Sequence, residues 1–183
     1  MRLIFVVSLL CFGSLSYPLH AQQFHWDDLH VGLSAHWMMP QGDLGKFWLN
    51  TPAAGPVLRY DINSEFSAVA TIGVMYFKRA PGVNRSDIPD IFLISGTGEI
   101  QRTFAGNSSV QLAARLGLGN YRFMFRVDEF NNTESEFGLV GSLSLDFPAN
   151  IFPGISLVAQ YHTILASPER IGIWTAGASI FIR

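Results

Sequence analysis

The stretch Phe137-Gly-Leu-Val-Gly-Ser-Leu-Ser-Leu-Asp-Phe147 restricts this chain more than any other. Phe137, Leu139, Gly141, Leu143, Leu145 and Phe147 alternate with Gly138, Val140, Ser142, Ser144 and Asp146. Period two with unlike faces is the signature of a strand. An aromatic ring closes the apolar face at each end. Ten steps of about 3.4 Å span roughly 34 Å. Tilted by about 40–45°, that length projects to roughly 25 Å, the apolar height of a barrel that crosses a membrane.

The rest of the chain leaves no helical route across a bilayer. Arg2 followed by the apolar run Leu3–Phe12 reads as a secretory leader, too short to span, with cleavage expected after Ala21. Residues 1–21 are therefore read as a signal peptide and residues 22–183 as one domain. The single cysteine, Cys11, falls in the leader and its surroundings fit a lipidation motif poorly, so disulfides and thiol chemistry are excluded from the mature chain. Beyond residue 21 no continuous apolar run approaches the length of about 18 residues that a spanning helix needs. A mature chain that crosses a membrane must then close a sheet on itself, because lipid satisfies no free strand edge. Composition agrees: 14% of residues are charged, against about 25% in soluble domains. A net charge of −2 gives no reason to expect a nucleic-acid partner.

Seven further segments repeat the alternation, at about 30–39, 54–62, 65–78, 91–103, 110–119, 154–165 and 171–183. The pattern blurs after Asn120, where a bulge or a strand running past the membrane would explain it. In the last segment the parity is ambiguous, since Phe181 falls opposite Trp174, Ile180 and Ile182. Short turns at 61–64, 104–109 and 148–153 alternate with longer loops at 40–52, 78–90 and 127–135, and the loop at 167–170 is brief. The expected architecture is all-β, an eight-stranded antiparallel up-and-down transmembrane β-barrel, with both chain ends on the short-turn, periplasmic side.

A soluble up-and-down barrel would hide its apolar face and show Lys and Glu outside. Here the second face is mostly Gly, Ser, Thr, Ala and Gln, which suits a narrow interior. The apolar face is therefore assigned to lipid. Aromatics at the strand ends are expected to form two girdles. Trp37, Tyr76, Phe137 and Trp174 would lie at the external interface, and Tyr60, Phe66, Phe104 and Phe147 at the periplasmic one.

The chain resembles the small outer-membrane β-barrel proteins of the OmpA/OmpX-like and opacity-protein type. The resemblance covers the mature chain. It is carried by Met39-Pro-Gln-Gly-Asp43, Leu116-Gly-Leu-Gly-Asn-Tyr121 and the last strand, Gly177-Ala-Ser-Ile-Phe-Ile-Arg183. It implies a Gram-negative cell envelope, contact with outer-membrane lipid and lipopolysaccharide, and handling by the barrel-insertion machinery. Members of this type usually end on an aromatic residue; this chain ends on Arg183, with Phe181 two before it.

Four inward charges stand out by parity: Arg59, Glu99, Arg115 and Asp146. With a turn centred on Asn107, Glu99 is expected opposite Arg115. With a loop centred near residue 131, Asp146 approaches Arg115 from the other side. A buried Arg needs such partners, so the expectation is an interior salt-bridge cluster that fills the lumen. His36 and His162 also face inward, but two histidines on distant strands do not by themselves make a metal site. No metal, cofactor or catalytic residue is assigned. Some outer-membrane barrels act on lipid A acyl chains with His and Ser two apart; here Ile164 follows His162 at that spacing, and Ser34 precedes His36 in reverse order. Lys46, Lys78, Arg79, Arg85, Arg122, Arg126 and Arg170 fall at the loop end, where guanidinium forks suit phosphate. The expected role is structural or surface-interacting, with a narrow porin-like channel or small-solute or lipid carrier as the alternative and a lipid A acyl-chain-modifying enzyme behind both.

Overall fold

The structure, a computed structural model, describes residues 25–83, 89–127, 130–147, 154–166 and 170–182. The leader, Cys11 and the turn at 148–153 lie outside the described residues. Eight antiparallel strands form a closed barrel in chain order: β1 (Leu29–Pro40), β2 (Thr51–Asp61), β3 (Phe66–Phe77), β4 (Asp90–Gly106), β5 (Gln111–Val127), β6 (Phe130–Phe147), β7 (Gly154–Ile164) and β8 (Ile171–Ile182). The first and last strands close the wall through a continuous ladder from Val31 opposite Ile182 to Pro40 opposite Ile173. Closure leaves no strand edge unpaired, which lipid would penalise heavily.

Side-chain alternation places the two faces as the sequence pattern requires. In β6, Val140, Ser142, Ser144 and Asp146 are buried inside, while Phe137, Leu139, Leu143 and Leu145 are exposed outside. The outer surface carries large apolar side chains in every strand; Leu33, Leu118 and Phe137 are 67%, 65% and 69% exposed. A water-facing protein rarely shows a contiguous apolar patch above a few hundred Å²; a belt around the whole barrel matches hydrocarbon. Among the described residues no helix is long and apolar enough to cross a membrane.

Two turns share one device. Asn63 Oδ1 accepts hydrogen bonds from the backbone N–H groups of Glu65 and Phe66, both at 2.9 Å. Asn107 Oδ1 does the same for Ser109 and Val110, at 2.8 and 3.0 Å. An Asn side chain that mimics a backbone carbonyl reverses the chain in few residues, so these ends of the barrel stay short.

The structure corrects two expectations from the sequence and resolves a third. The segment 127–135 is not a loop: β5 continues to Val127 and β6 begins at Phe130, in register from Gln111 opposite Asp146 to Val127 opposite Phe130. The blur after Asn120 is therefore a strand running on, with Tyr121 and Phe123 buried inward and Arg122 exposed outward. At about 3.4 Å per residue the 18 residues of β6 far exceed a tilted bilayer crossing. Second, β2 starts at Thr51, and the loop before it holds a short helix, α1 (Asp43–Phe47). Third, β8 has a definite parity. Phe181 points into the lumen, where it packs on Val57 and Val69.

The wall is irregular between β2 and β3. The β2–β3 ladder skips Gly55 and Pro56, between Ala54 opposite Val74 and Val57 opposite Thr71. Proline has no N–H to offer the ladder. Gly55 lets the strands coil closely there: a Cβ at this position would lie 1.9 Å from the Ile72 carbonyl oxygen.

Candidate functional site

The lumen is the candidate site, and it is stacked in layers. At the short-turn mouth Asp61 accepts from Arg59 Nε and Ser67 Oγ, both at 2.7 Å, and meets His30 Nε2 at 3.1 Å. Arg59 reaches the next layer as well, donating from Nη1 to Asp146 Oδ2 at 3.2 Å. Asp146 is the hub of that layer. Its Oδ2 also accepts from Gln101 Nε2 at 2.7 Å, and its Oδ1 from Ser156 Oγ at 2.6 Å. Ser156 in turn accepts from Arg115 Nη2 at 2.9 Å, and the same nitrogen lies 3.6 Å from Asp146 Oδ1. Asp146 and Arg115 are buried, so each charge depends on these contacts rather than on water.

Glu99 belongs to a separate layer above. It accepts from Thr97 and Ser142 at 3.2 Å and from Gln160 at 3.3 Å, and Gln160 accepts from Thr175. Arg59, Arg115 and Asp146 come together; among the described ion pairs none joins Glu99 to Arg115. The cause is register. β4 carries a bulge between Thr103 and Ala105, and its turn is centred later than Asn107, so Arg115 sits opposite Gln101 and Glu99 opposite Gly117. Likewise the β5–β6 connection is centred lower than residue 131, which pairs Asp146 with Gln111; Arg115 reaches it only by leaning along the strand.

Above Glu99, Tyr121 Oη and His162 Nδ1 are 2.7 Å apart, with the rings edge to face. The opposite, loop end is then sealed by an apolar layer that includes Met38, Met75, Phe77, Leu93, Phe123 and Ile173, with Trp48 and Phe125 packed against it. Trp48 follows α1; its indole Nε1 donates to the Pro89 carbonyl at 3.1 Å, and its backbone bridges to Arg79. The first loop thus folds back over the mouth.

Sequence reasoning missed Gln101, Ser156, Asp61 and Trp48. The inward parity of the first three was visible, but their partners depend on register. The Ser34–His36 pair shows no nucleophile geometry, because the Ser34 hydroxyl donates to the Gly55 carbonyl at 3.1 Å.

All eight aromatics expected in the girdles sit on the outer faces of their strands. Trp37, Tyr76, Phe137 and Trp174 are exposed toward the loop end, where Trp174 packs on Tyr161 with centroids 4.8 Å apart. Tyr60, Phe66, Phe104 and Phe147 lie toward the turn end, and the Arg102 guanidinium rests over the Phe66 ring at 5.6 Å. Of the loop-end cations, Arg79 pairs with Asp90 at 2.9 Å, and Lys46, Lys78, Arg122 and Arg170 are exposed. Arg85 and the Arg126 side chain lie outside the described residues.

Among solved structures, Neisserial surface protein A superposes with a TM-score of 0.70 at 14% identity, over 85% of this chain and 96% of that one. Its fold is that of the small outer-membrane barrels. Ail, the attachment invasion locus protein of Yersinia pestis, matches with a TM-score of 0.54 at 19% identity, over 84% of this chain and 97% of that one. The outer membrane protein OprG of Pseudomonas aeruginosa matches with 0.51 at 13% identity, over 85% and 94%. No family model and no curated protein sequence matches this chain.

Proposed function

We propose that the protein resides in the bacterial outer membrane as a structural or surface-interacting barrel with a closed lumen. The observation that carries this is the filling of the interior. A hydrogen-bonded ion cluster on Asp146 occupies one level, and an apolar layer under Trp48 occupies the external mouth. Eight strands leave an interior just wide enough for side chains, and these side chains use it. Catalysis is not part of the proposal: among the described residues the Ser34 hydroxyl donates to the Gly55 carbonyl and not to His36.

The outer face supports lipid as the main partner, and the exposed Lys46, Lys78, Arg122 and Arg170 support contact with lipopolysaccharide phosphates. Delivery by the barrel-insertion machinery follows from the same location. The test is electrical. The purified protein in planar bilayers is expected to give no reproducible conductance steps, and regular steps of fixed size would overturn the closed lumen. Recovery in the soluble periplasmic fraction, rather than in outer membranes with heat-modifiable gel migration, would refute the membrane location.

A further inference from the structure

We propose that His36, His162, Met38 and Met75 form a binding site for a soft monovalent cation, Cu(I) in particular, inside the barrel. The four side chains come from β1, β3 and β7 and line one cavity of about 30 Å³. That volume holds a water or two, or one bare ion.

The nitrogen atoms are in the right condition to bind. His162 is 5% exposed, and its Nε2 is buried with no hydrogen-bond partner among the described residues. Its Nδ1 is held by Tyr121 at 2.7 Å. With Nδ1–H donating to the tyrosine oxygen, the lone pair of Nε2 is left for a ligand, the arrangement by which an outer partner orients a metal-bound imidazole. The Nδ1 of His36 is likewise buried without a partner, packed close to Gly177. Unpartnered buried polar atoms are rare and call for an ion or a water.

The donor set selects the ion. Two neutral imidazoles and two thioethers carry no charge, and the residues that line the cavity include no carboxylate and no thiol. Zn(II) sites draw on cysteine, histidine and carboxylate, whereas thioethers favour Cu(I). The single positive charge would be balanced at one remove. Gln160 lines the cavity and donates to Glu99, a carboxylate that also accepts from Thr97 and Ser142 and lies in the field of Arg115. Met38 and Met75 also belong to the apolar layer that closes the external mouth, which places the soft donors between the cavity and the outside.

The test uses the full chain, expressed with its own leader and extracted from membranes in detergent. Anaerobic titration with Cu(I) against bicinchoninate should show one equivalent bound per chain. His162→Gln, and the double variant Met38→Leu/Met75→Leu, should each weaken binding at least tenfold while keeping heat-modifiable migration. The double variant conserves volume and hydrophobicity, so it reports on sulfur even where His162→Gln fails to fold. Sulfur scattering in the copper X-ray absorption spectrum should vanish with it. The proposal is overturned by failure to withdraw Cu(I) from the chelator, by tighter binding of Zn(II) than of Cu(I), or by uptake unchanged in the folded variants.

Discussion

Asp146→Asn tests the lumen most directly. The substitution keeps the size of the side chain but removes the charge on which Arg59, Arg115, Gln101 and Ser156 converge. Arg115 is 2% exposed and cannot turn to water. Removing one partner of a buried ion pair costs about 3–5 kcal/mol, because the surviving charge is stranded. Glu99 acts on Arg115 through space but makes no described ion pair with it, and its oxygens already serve Thr97, Ser142 and Gln160. We expect Asp146→Asn to lose about 3–5 kcal/mol, near the middle of that range, as Asn retains acceptors for Ser156 and one Arg. Unfolding in urea, followed by tryptophan fluorescence in lipid vesicles, measures it, with the slope checked for constancy. A second variant, Arg59→Met/Arg115→Met/Asp146→Leu, should recover most of the loss, because apolar groups of similar volume replace buried ion clusters at little cost. Wild-type stability in Asp146→Asn, within about 0.5 kcal/mol, would mean that water penetrates the layer and screens it, and the closed-lumen argument would fail with it.

Three other outcomes follow from local geometry. Gly55→Ala should lose the heat-modifiable folded band, since its Cβ would sit 1.9 Å from a backbone oxygen that cannot swing away; a normal band would show that the wall gives there. Asn63→Ala removes the acceptor of two backbone N–H groups and should lower stability by about 1–2 kcal/mol in the same urea assay, with no change meaning that water replaces the side chain. Trp48→Phe keeps an aromatic on the apolar layer but loses the bond to Pro89; it should cost about 1 kcal/mol and leave bilayers silent, whereas conductance steps would show that this bond holds the mouth shut.

Strand number, parity and lipid-facing surface were legible because a strand writes its two faces into alternate residues. Phe137–Phe147 shows this without ambiguity. Partner identity was not legible, because it depends on register, and register depends on turn length and bulges. The expectation that Glu99 faces Arg115 failed by a two-residue slide, which keeps parity and so leaves no trace in the pattern. The β5–β6 hairpin was hidden for another reason. Its outer face carries the exposed Arg122 where an apolar residue would mark the strand. Trp48 lay in a segment without periodicity, and only tertiary contact reveals its place over the mouth. His36 and His162, far apart along the chain, meet at one cavity only because the sheet curls.

The side chains gathered on Asp146 come from β2, β4, β5, β6 and β7. Neither strand of the closing seam, β1 or β8, supplies one. A curled but unsealed sheet already has what it needs to neutralise its innermost charges. Pairing of β1 with β8 therefore strands none of these charges.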